Sequence, residues 1–443
     1  MAITLTTSPA TVQLAKNPVY VKFLSTSYSS LDNYRVVLRV LLESVYESNT
    51  YAQIVEVECI PDSNGESTFD LSKVLQRAME RTMAVQVPDF SNPIPYLADT
   101  LRRFKIQYLE KYGAPQEEQS ATTSSAYKVL YGGVDMHYFG LYNFFSNLSA
   151  TNSLLTYYPS GKIIARDQPE YLTYIQQASA ISAHAFIRVV EYDNAGGTIA
   201  TTDHYRLNAD YPDPIFIDRY KCCVFPTGPV ALSLAADTVK YTVQVFWVES
   251  IAGGGGNEES GSATAASQLY TYYIDNAAQP IHTDLVWFGG FNNPHILRCT
   301  GRKAARLDVQ RQLSEQVVTF GADPTTLATM QHGRDWNNQY NYRSGALKPE
   351  EKDALQELII ENKLLEYAAD GNYYRLSLTT NSLNVLEQNI SPNYLEFNAV
   401  RALAPRNFMR LSPIAVAAPT ENTWLLGDGG FWELGVTGDY WQL

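Results

Sequence analysis

Cysteine is scarce in this chain. Four thiols in 443 residues, Cys59, the adjacent Cys222 and Cys223, and Cys299, form no C-x-x-C pair and are too few for a disulfide framework, so free thiols and synthesis in a reducing cytoplasm are expected. Positive charge is also short. Lys and Arg number 33 against 46 Asp and Glu, a net charge of −13, which makes phosphate backbones and anionic lipid surfaces poor partners and removes nucleic acid from the expected ones. No run of about 18 apolar residues occurs, and Met1-Ala2-Ile3-Thr4-Leu5 contains no basic stretch leading into an apolar one, so neither membrane insertion nor Sec export is expected.

Catalytic frames are missing too. There is no G-x-S-x-G, and Gly253, Gly254, Gly255 and Gly256 are followed by Asn257-Glu258-Glu259 rather than the G-K-[S/T] and helix of a phosphate-binding loop. The six histidines are scattered singly. The densest potential metal groups are Asp203-His204 with Asp210 and Asp213, then Asp135 with His137, and both read as loop polar residues. Asp62, Asn64 and Glu66 imitate the start of an EF-hand, but the position that needs a bidentate Glu is Lys73. The expectation is a protein without catalytic residues, metal or cofactor.

What is abundant is tyrosine, 31 residues, in a chain 45% hydrophobic and 18% charged with mean hydropathy −0.21. Such a composition suits a globular, β-rich protein whose rings pair across strands or at subunit contacts. Period-two alternation follows at Val55, Val57 and Cys59, and at Phe104, Ile106 and Tyr108. Leu71, Val74, Leu75, Ala78 and Met79 recur at helical spacing within this β-pattern, after a turn at Asp62-Ser63-Asn64-Gly65. The polar stretch from Lys111 to Ser125 predicts a long hairpin tip, and the stretch from Ser250 to Ser267, which holds the four glycines, predicts a second one.

The two halves rhyme around these hairpins. Tyr34 to Leu42 matches Phe186 to Tyr192, Thr68-Phe69-Asp70-Leu71 matches Ile215-Phe216-Ile217-Asp218, and His137-Tyr138-Phe139-Gly140 matches Val286-Trp287-Phe288-Gly289-Gly290. The fold expected is mainly β: tandem immunoglobulin- or fibronectin-like β-sandwich domains over 1–147 and 148–278, with one short helix in the first. A connector and small α+β domain then spans 279–410, and a Trp/Gly/Asp repeat tail spans 411–443. Within the third stretch the pattern loosens from Asn276 to Ser344. Lys348-Pro349-Glu350-Glu351 then opens a helix of about four turns, Tyr367 to Leu378 makes a hairpin turning at Asp370-Gly371, and Asn393 to Arg401 makes a strand. In the tail, Trp424, Trp432 and Trp441 recur between Gly-Asp turns and are expected to dock on a partner; with Gly253 to Gly256 they are the candidate interface residues.

Several segments resemble tail-associated structural proteins of phages and prophages infecting Bacteroidetes-type bacteria. They are Ser8-Pro9-Ala10 to Asn17-Pro18-Val19, Leu154-Leu155-Thr156-Tyr157, Gln168-Pro169-Glu170-Tyr171-Leu172, Trp287-Phe288-Gly289-Gly290-Phe291, the stretch from Tyr342 and Gly345 into the Leu355-Leu358 helix, and the terminal Trp repeats. Phe291-Asn292-Asn293 departs from the Gly-Gly-Tyr or Gly-Gly-Trp-Asp loop ending of such proteins. The resemblance implies a non-enzymatic virion protein of the tail or baseplate, made in the bacterial host cytoplasm, a homo-oligomer in contact with other tail proteins. The other function expected from the Trp repeats is a glycan-binding adhesin or receptor-binding protein that engages a host surface glycan.

Overall fold

A computed structural model describes residues 3–83, 86–135, 144–146, 148–149, 151–177, 183–207, 219–249, 263–277, 279–301, 303–315, 329–345, 347–368, 371–380, 394–401, 423–425 and 431–433. The protein is mainly β and divides into two compact units, Met1–Ala402 and Leu403–Leu443.

In the first unit two β-sandwiches repeat one strand order. The large sheet of the first runs Val12–Leu14, Tyr127–Leu130, Leu101–Tyr112, Arg35–Glu43, Tyr51–Cys59. That of the second runs Lys162–Ala165, Tyr270–Asp275, Lys240–Glu249, Ala183–Tyr192, Thr198–His204. In both, the first pair is parallel and the rest antiparallel. A smaller sheet faces each: Ile3–Thr7, Tyr20–Ser25 and Glu66–Asp70 in the first, Tyr171–Ile175 and Cys222–Pro226 in the second. The topological counterpart of Glu66–Asp70 is therefore Cys222–Pro226, whereas 215–218 and 137–140 lie outside the described residues.

Alternation builds the first core. Val36, Leu38, Val40, Phe104, Ile106 and Val129 point in from the large sheet to meet Val21, Phe23 and Phe69. Helix Ser72–Thr82 closes it with Leu75 and Met79, as its apolar spacing predicts. The Lys111 to Ser125 tip is no free arm: Glu117–Glu118 and Thr122–Thr123 pair back onto Leu101–Tyr112.

The third part of this unit is an antiparallel seven-stranded sheet ordered Pro294–Cys299, Thr283–Phe288, Leu364–Tyr367, Tyr373–Leu378, Glu396–Arg401, Thr329–Arg343, Ala304–Glu315. Two sequence expectations are corrected here. The stretch from Asn276 to Ser344 contains four strands, including a hairpin of 12 and 15 residues, because apolar runs such as Leu285 to Phe288 are covered on both faces and show no alternation. The four-turn helix is two short ones, Pro349–Ala354 and Gln356–Glu361, which together set Ala354, Leu355 and Leu358 over Leu285 and Trp287. The hairpin of Leu364–Tyr367 and Tyr373–Leu378 forms as expected, with Gly371 at φ 79°.

Strands Tyr171–Ile175 and Cys222–Pro226 hold the three parts together, every residue in them buried. Leu172, Tyr174, Cys223 and Phe225 face the second sandwich core. Tyr171, Ile175, Cys222 and Val224 face a separate cluster with Leu14, Leu101 and Leu130 of the first sandwich and Val286, Phe288 and Ile296 of the third sheet. Their edges are covered as well: Ile94 and Val224 exchange backbone bonds of 2.8 and 2.9 Å, and Leu155 N–H donates to Thr173 O at 2.8 Å. Among the described residues no helix is long and apolar enough to cross a membrane.

Phe225→Ala removes a fully buried ring from this sheet and is expected to destabilise the protein by about 3–5 kcal/mol, read from the urea midpoint. Ile163→Ala, on a neighbouring strand but 53% exposed, should stay within about 0.5 kcal/mol.

Candidate functional site: the cleft beside the second sandwich

A cleft of about 950 Å³ opens where the second sandwich meets the third sheet. One wall comes from the turn after strand Lys162–Ala165, which carries Asp167, Gln168 and Pro169, and from the link at Gly228 to Ser233. Gly228 is required there by close approach, since a Cβ would lie 2.8 Å from Gln168 O and 3.0 Å from Glu170 N. The opposite wall is His282, Asp284, Arg298 and Tyr367 of the third sheet, and Phe90 of the first sandwich closes one end. Phe90 is itself packed on Tyr171, Tyr367 and Tyr373.

Arg298 organises the floor. Strand register sets it opposite Asp284, and its guanidinium donates from Nε and Nη2 to the two Asp284 oxygens at 2.7 Å each. Its remaining nitrogen, Nη1, donates to Asp167 Oδ1, so one buried cation binds a carboxylate on each side of the junction. Partial burial pushes the Asp167 carboxyl up, and the bond and charge of Arg298, with His282 behind them, pull it below the ordinary carboxylate range. Asp167 stays ionised and 63% exposed, with Oδ2 3.7 Å from His282 Nε2. The His282 Nδ1 lies 2.8 Å from Gln279 O, which fits an Nδ1–H donor and leaves Nε2 towards Asp167.

Two further charged groups back this floor. Lys162 donates to Glu170 at 2.6 Å and to Ile296 O at 3.1 Å, across the junction, with its ammonium 3.9 Å from the centre of the Tyr158 ring. Burial raises the Glu170 carboxyl and Lys162 counters it in part. Glu366 accepts from Lys303, from Tyr342 at 2.8 Å and from Arg401 at 3.2 Å. Burial raises its carboxyl, and these donors and charges outweigh that and lower it. Every carboxylate of the cleft is thus bonded to a cation, and Asp167, which shares Arg298 with Asp284, is the one that also meets solvent.

The sequence candidates fall elsewhere. Gly253, Gly254, Gly255, Gly256 and Trp441 lie outside the described residues, as do Asp210, Asp213 and His137. Trp424 and Trp432 stand opposite each other in the two-stranded sheet of Thr423–Leu425 and Phe431–Glu433 in the second unit. Asp203 is held by Arg188 through two bonds of 2.7 and 2.9 Å, and Asp62 caps its own turn by accepting from Asn64 N and Glu66 N. Among the described residues no group of three His, Cys, Asp or Glu side chains is placed to hold a metal. Asp167, Asp284 and Arg298 were not singled out from sequence. The available signal was a charge at each end of the apolar run Asp284-Leu285-Val286-Trp287-Phe288 to Arg298, split by the turn Gly289 to Asn293.

No family model matches the chain, and no curated protein does. Among solved structures it is similar to the crystal structure of CBD12 from CALX1.2, at 8% identity over 57% of this chain and 82% of that one, TM-score 0.18. It is also similar to trypsin-activated alpha-2-macroglobulin from Escherichia coli, at 9% identity over 90% of this chain and 21% of that one, TM-score 0.20. The chain thus spans about a fifth of the macroglobulin.

Burial lowers the His295 pKa to about 3, with Lys162 adding to the effect; Asn293 Nδ2 donates to its Nε2 at 2.8 Å. Below its unfolded value near 6.5 the unfolded chain takes up a proton that the folded one refuses, so this site loses stability as pH falls from about 6.5 towards 3. The loss between pH 7 and pH 5 is about 2 kcal/mol. His295→Gln should flatten that slope in melting curves at the two pH values.

Proposed function

We propose that this protein is a structural component of a bacteriophage tail or baseplate that assembles as a multimer with other virion proteins. In this reading the two sandwiches are immunoglobulin-type modules, and with the third sheet they form one rigid body in a homo-oligomer. It is made in the host cytoplasm and ends in the virion. The observation that carries the assembly reading is the hairpin Ala304–Glu315 and Thr329–Arg343. Only Gln339–Arg343 pair with the next strand of the sheet, while, among the described residues, Thr329 to Asn338 pair with the other hairpin strand alone. Those ten residues form a two-stranded ribbon about 30 Å long at roughly 3.4 Å per residue, and such a ribbon is marginally stable in water by itself. A ribbon that gains its stability on a neighbour suits a subunit built to polymerise or close a ring.

Mass photometry of the purified protein over a range of concentrations, with negative-stain images, tests this. The expected result is a discrete multiple of 49.6 kDa that collapses to monomer when residues 307–338 are replaced by Asn-Gly. A monomer at every concentration defeats the homo-oligomer.

A second reading, a glycan-binding adhesin, rests on the register that sets Trp424 opposite Trp432. Tryptophan emission that host polysaccharide leaves unchanged in the wild type, with no signal on a glycan array, removes it.

A further inference from the structure

The two large sheets end on equivalent strands whose outer edges differ in charge. Tyr51–Cys59 ends the first sheet and carries Glu56, bonded to Arg39, and Glu58, bonded to Lys111. Charge of this kind keeps a strand edge from pairing with another chain. The counterpart in the second sheet is Thr198–His204, which has neither charge nor proline from Thr198 to Thr202. Thr201 and Thr202 are both exposed, and because neighbours in a strand point to opposite faces, neither face is covered there. Among the described residues this strand pairs on one side only, with Ala183–Tyr192.

The strand also fits a second copy of itself. Its pairing with Ala183–Tyr192 is regular from Ala200 to His204, the register shift falling at Ile199. Laid antiparallel on its own copy about a two-fold axis at Thr202, that stretch sets Thr201 opposite Asp203 and Ala200 opposite His204, so no like charges meet directly. Two copies each of charge −13 repel overall, and a contact between them needs a surface that is locally neutral. This one is: Arg188 holds Asp203 through two bonds, and burial lowers the pKa of His204 against the pull of Glu191 and Asp203. We infer that Ala200–His204 of one copy pairs edge to edge with the same strand of a second copy, about a two-fold axis at Thr202. This rests on the proposal that the protein assembles with itself and names one of the surfaces. Five residues a side bury less than the roughly 1,000 Å² of a stable interface, so the contact acts where the ribbons already hold a ring. Repeated round two rings, it joins them in dihedral symmetry.

Full-length variants at Thr202 test it, because the two-fold sets this residue opposite itself. Thr202→Lys puts two lysines face to face and is expected to halve the mass of the wild-type assembly in mass photometry, and Thr202→Asp should do the same. Assembled separately and then mixed one to one, the two variants pair lysine with aspartate, and the full mass should return. Under oxidising conditions Thr202→Cys should cross-link to itself and run at twice 49.6 kDa on a non-reducing gel, while Glu56→Cys on the counterpart edge should not. Near-UV circular dichroism matching the wild type shows that each variant is folded. If Thr202→Lys assembles at the wild-type mass, or if Thr202→Cys assembles without cross-linking, the edge is not the contact although self-assembly stands. A wild type that stays monomeric, with Thr202→Cys free of cross-links, overturns self-assembly and this contact together.

Discussion

The structure depends on a two-stranded sheet that has no exposed side. Strands Tyr171–Ile175 and Cys222–Pro226 present one row of side chains to the second sandwich and the other to the third sheet and the first sandwich. Their outer backbone groups are taken up by Ile94 on one edge and Leu155 on the other. Exposing any of these surfaces returns apolar area to water at about 25 cal/mol per Å² and strands backbone donors that have no other partner. The three parts of Met1–Ala402 therefore behave as one body, with the second sandwich at its centre.

Charged groups bridge the parts at these junctions alongside the apolar packing. Lys162 binds Glu170 on its own side and Ile296 O on the other, Arg298 binds Asp284 on its own side and Asp167 on the other, and Lys16 of the first sandwich binds Glu361 of the third part. A buried ion pair contributes little net stability, because desolvation offsets the attraction. The effect of these groups is on geometry: sliding the parts would part Lys162 from Ile296 O and Arg298 Nη1 from Asp167, each a charge-assisted hydrogen bond lost, while the pairs within each part persist. Tyr131 works the same way between Glu80, to which it donates at 3.0 Å, and Lys363, which donates to it at 3.2 Å.

Sequence revealed the half-buried elements and hid the doubly buried ones. Val36, Leu38 and Val40 pack inward, and so do Phe104 and Ile106 on their alternating strand, while Leu75 and Met79 mark a helix because its other face is wet. Tyr171-Leu172-Thr173-Tyr174-Ile175 and Asp284 to Phe288 are buried throughout, so periodicity carries no information there and the sequence pattern suggests only a loosened connector in place of the third sheet. The cleft was illegible for another reason. Asp167, Asp284 and Arg298 meet through strand register and the docking of two modules, and neither leaves a local spacing in the chain.

The cleft arises from a difference between two copies of one plan. In the first sandwich the link between Glu66–Asp70 and Leu101–Tyr112 contains helix Ser72–Thr82, and Leu75 and Met79 seal that end of the core. The equivalent link in the second sandwich runs only from 227 to 239, turning tightly at Gly228 against Gln168 and Glu170, with Leu232 buried in the core and Leu234 packed against it. Among the described residues no helix covers the ground beside Pro169, and the third sheet docks there through Arg298 without filling it. The shorter link leaves a face of the second sandwich open beside Gly228. The same face carries the inter-module ion pair and the exposed Val230, so the constraint that locks the body together also shapes the surface it offers outward.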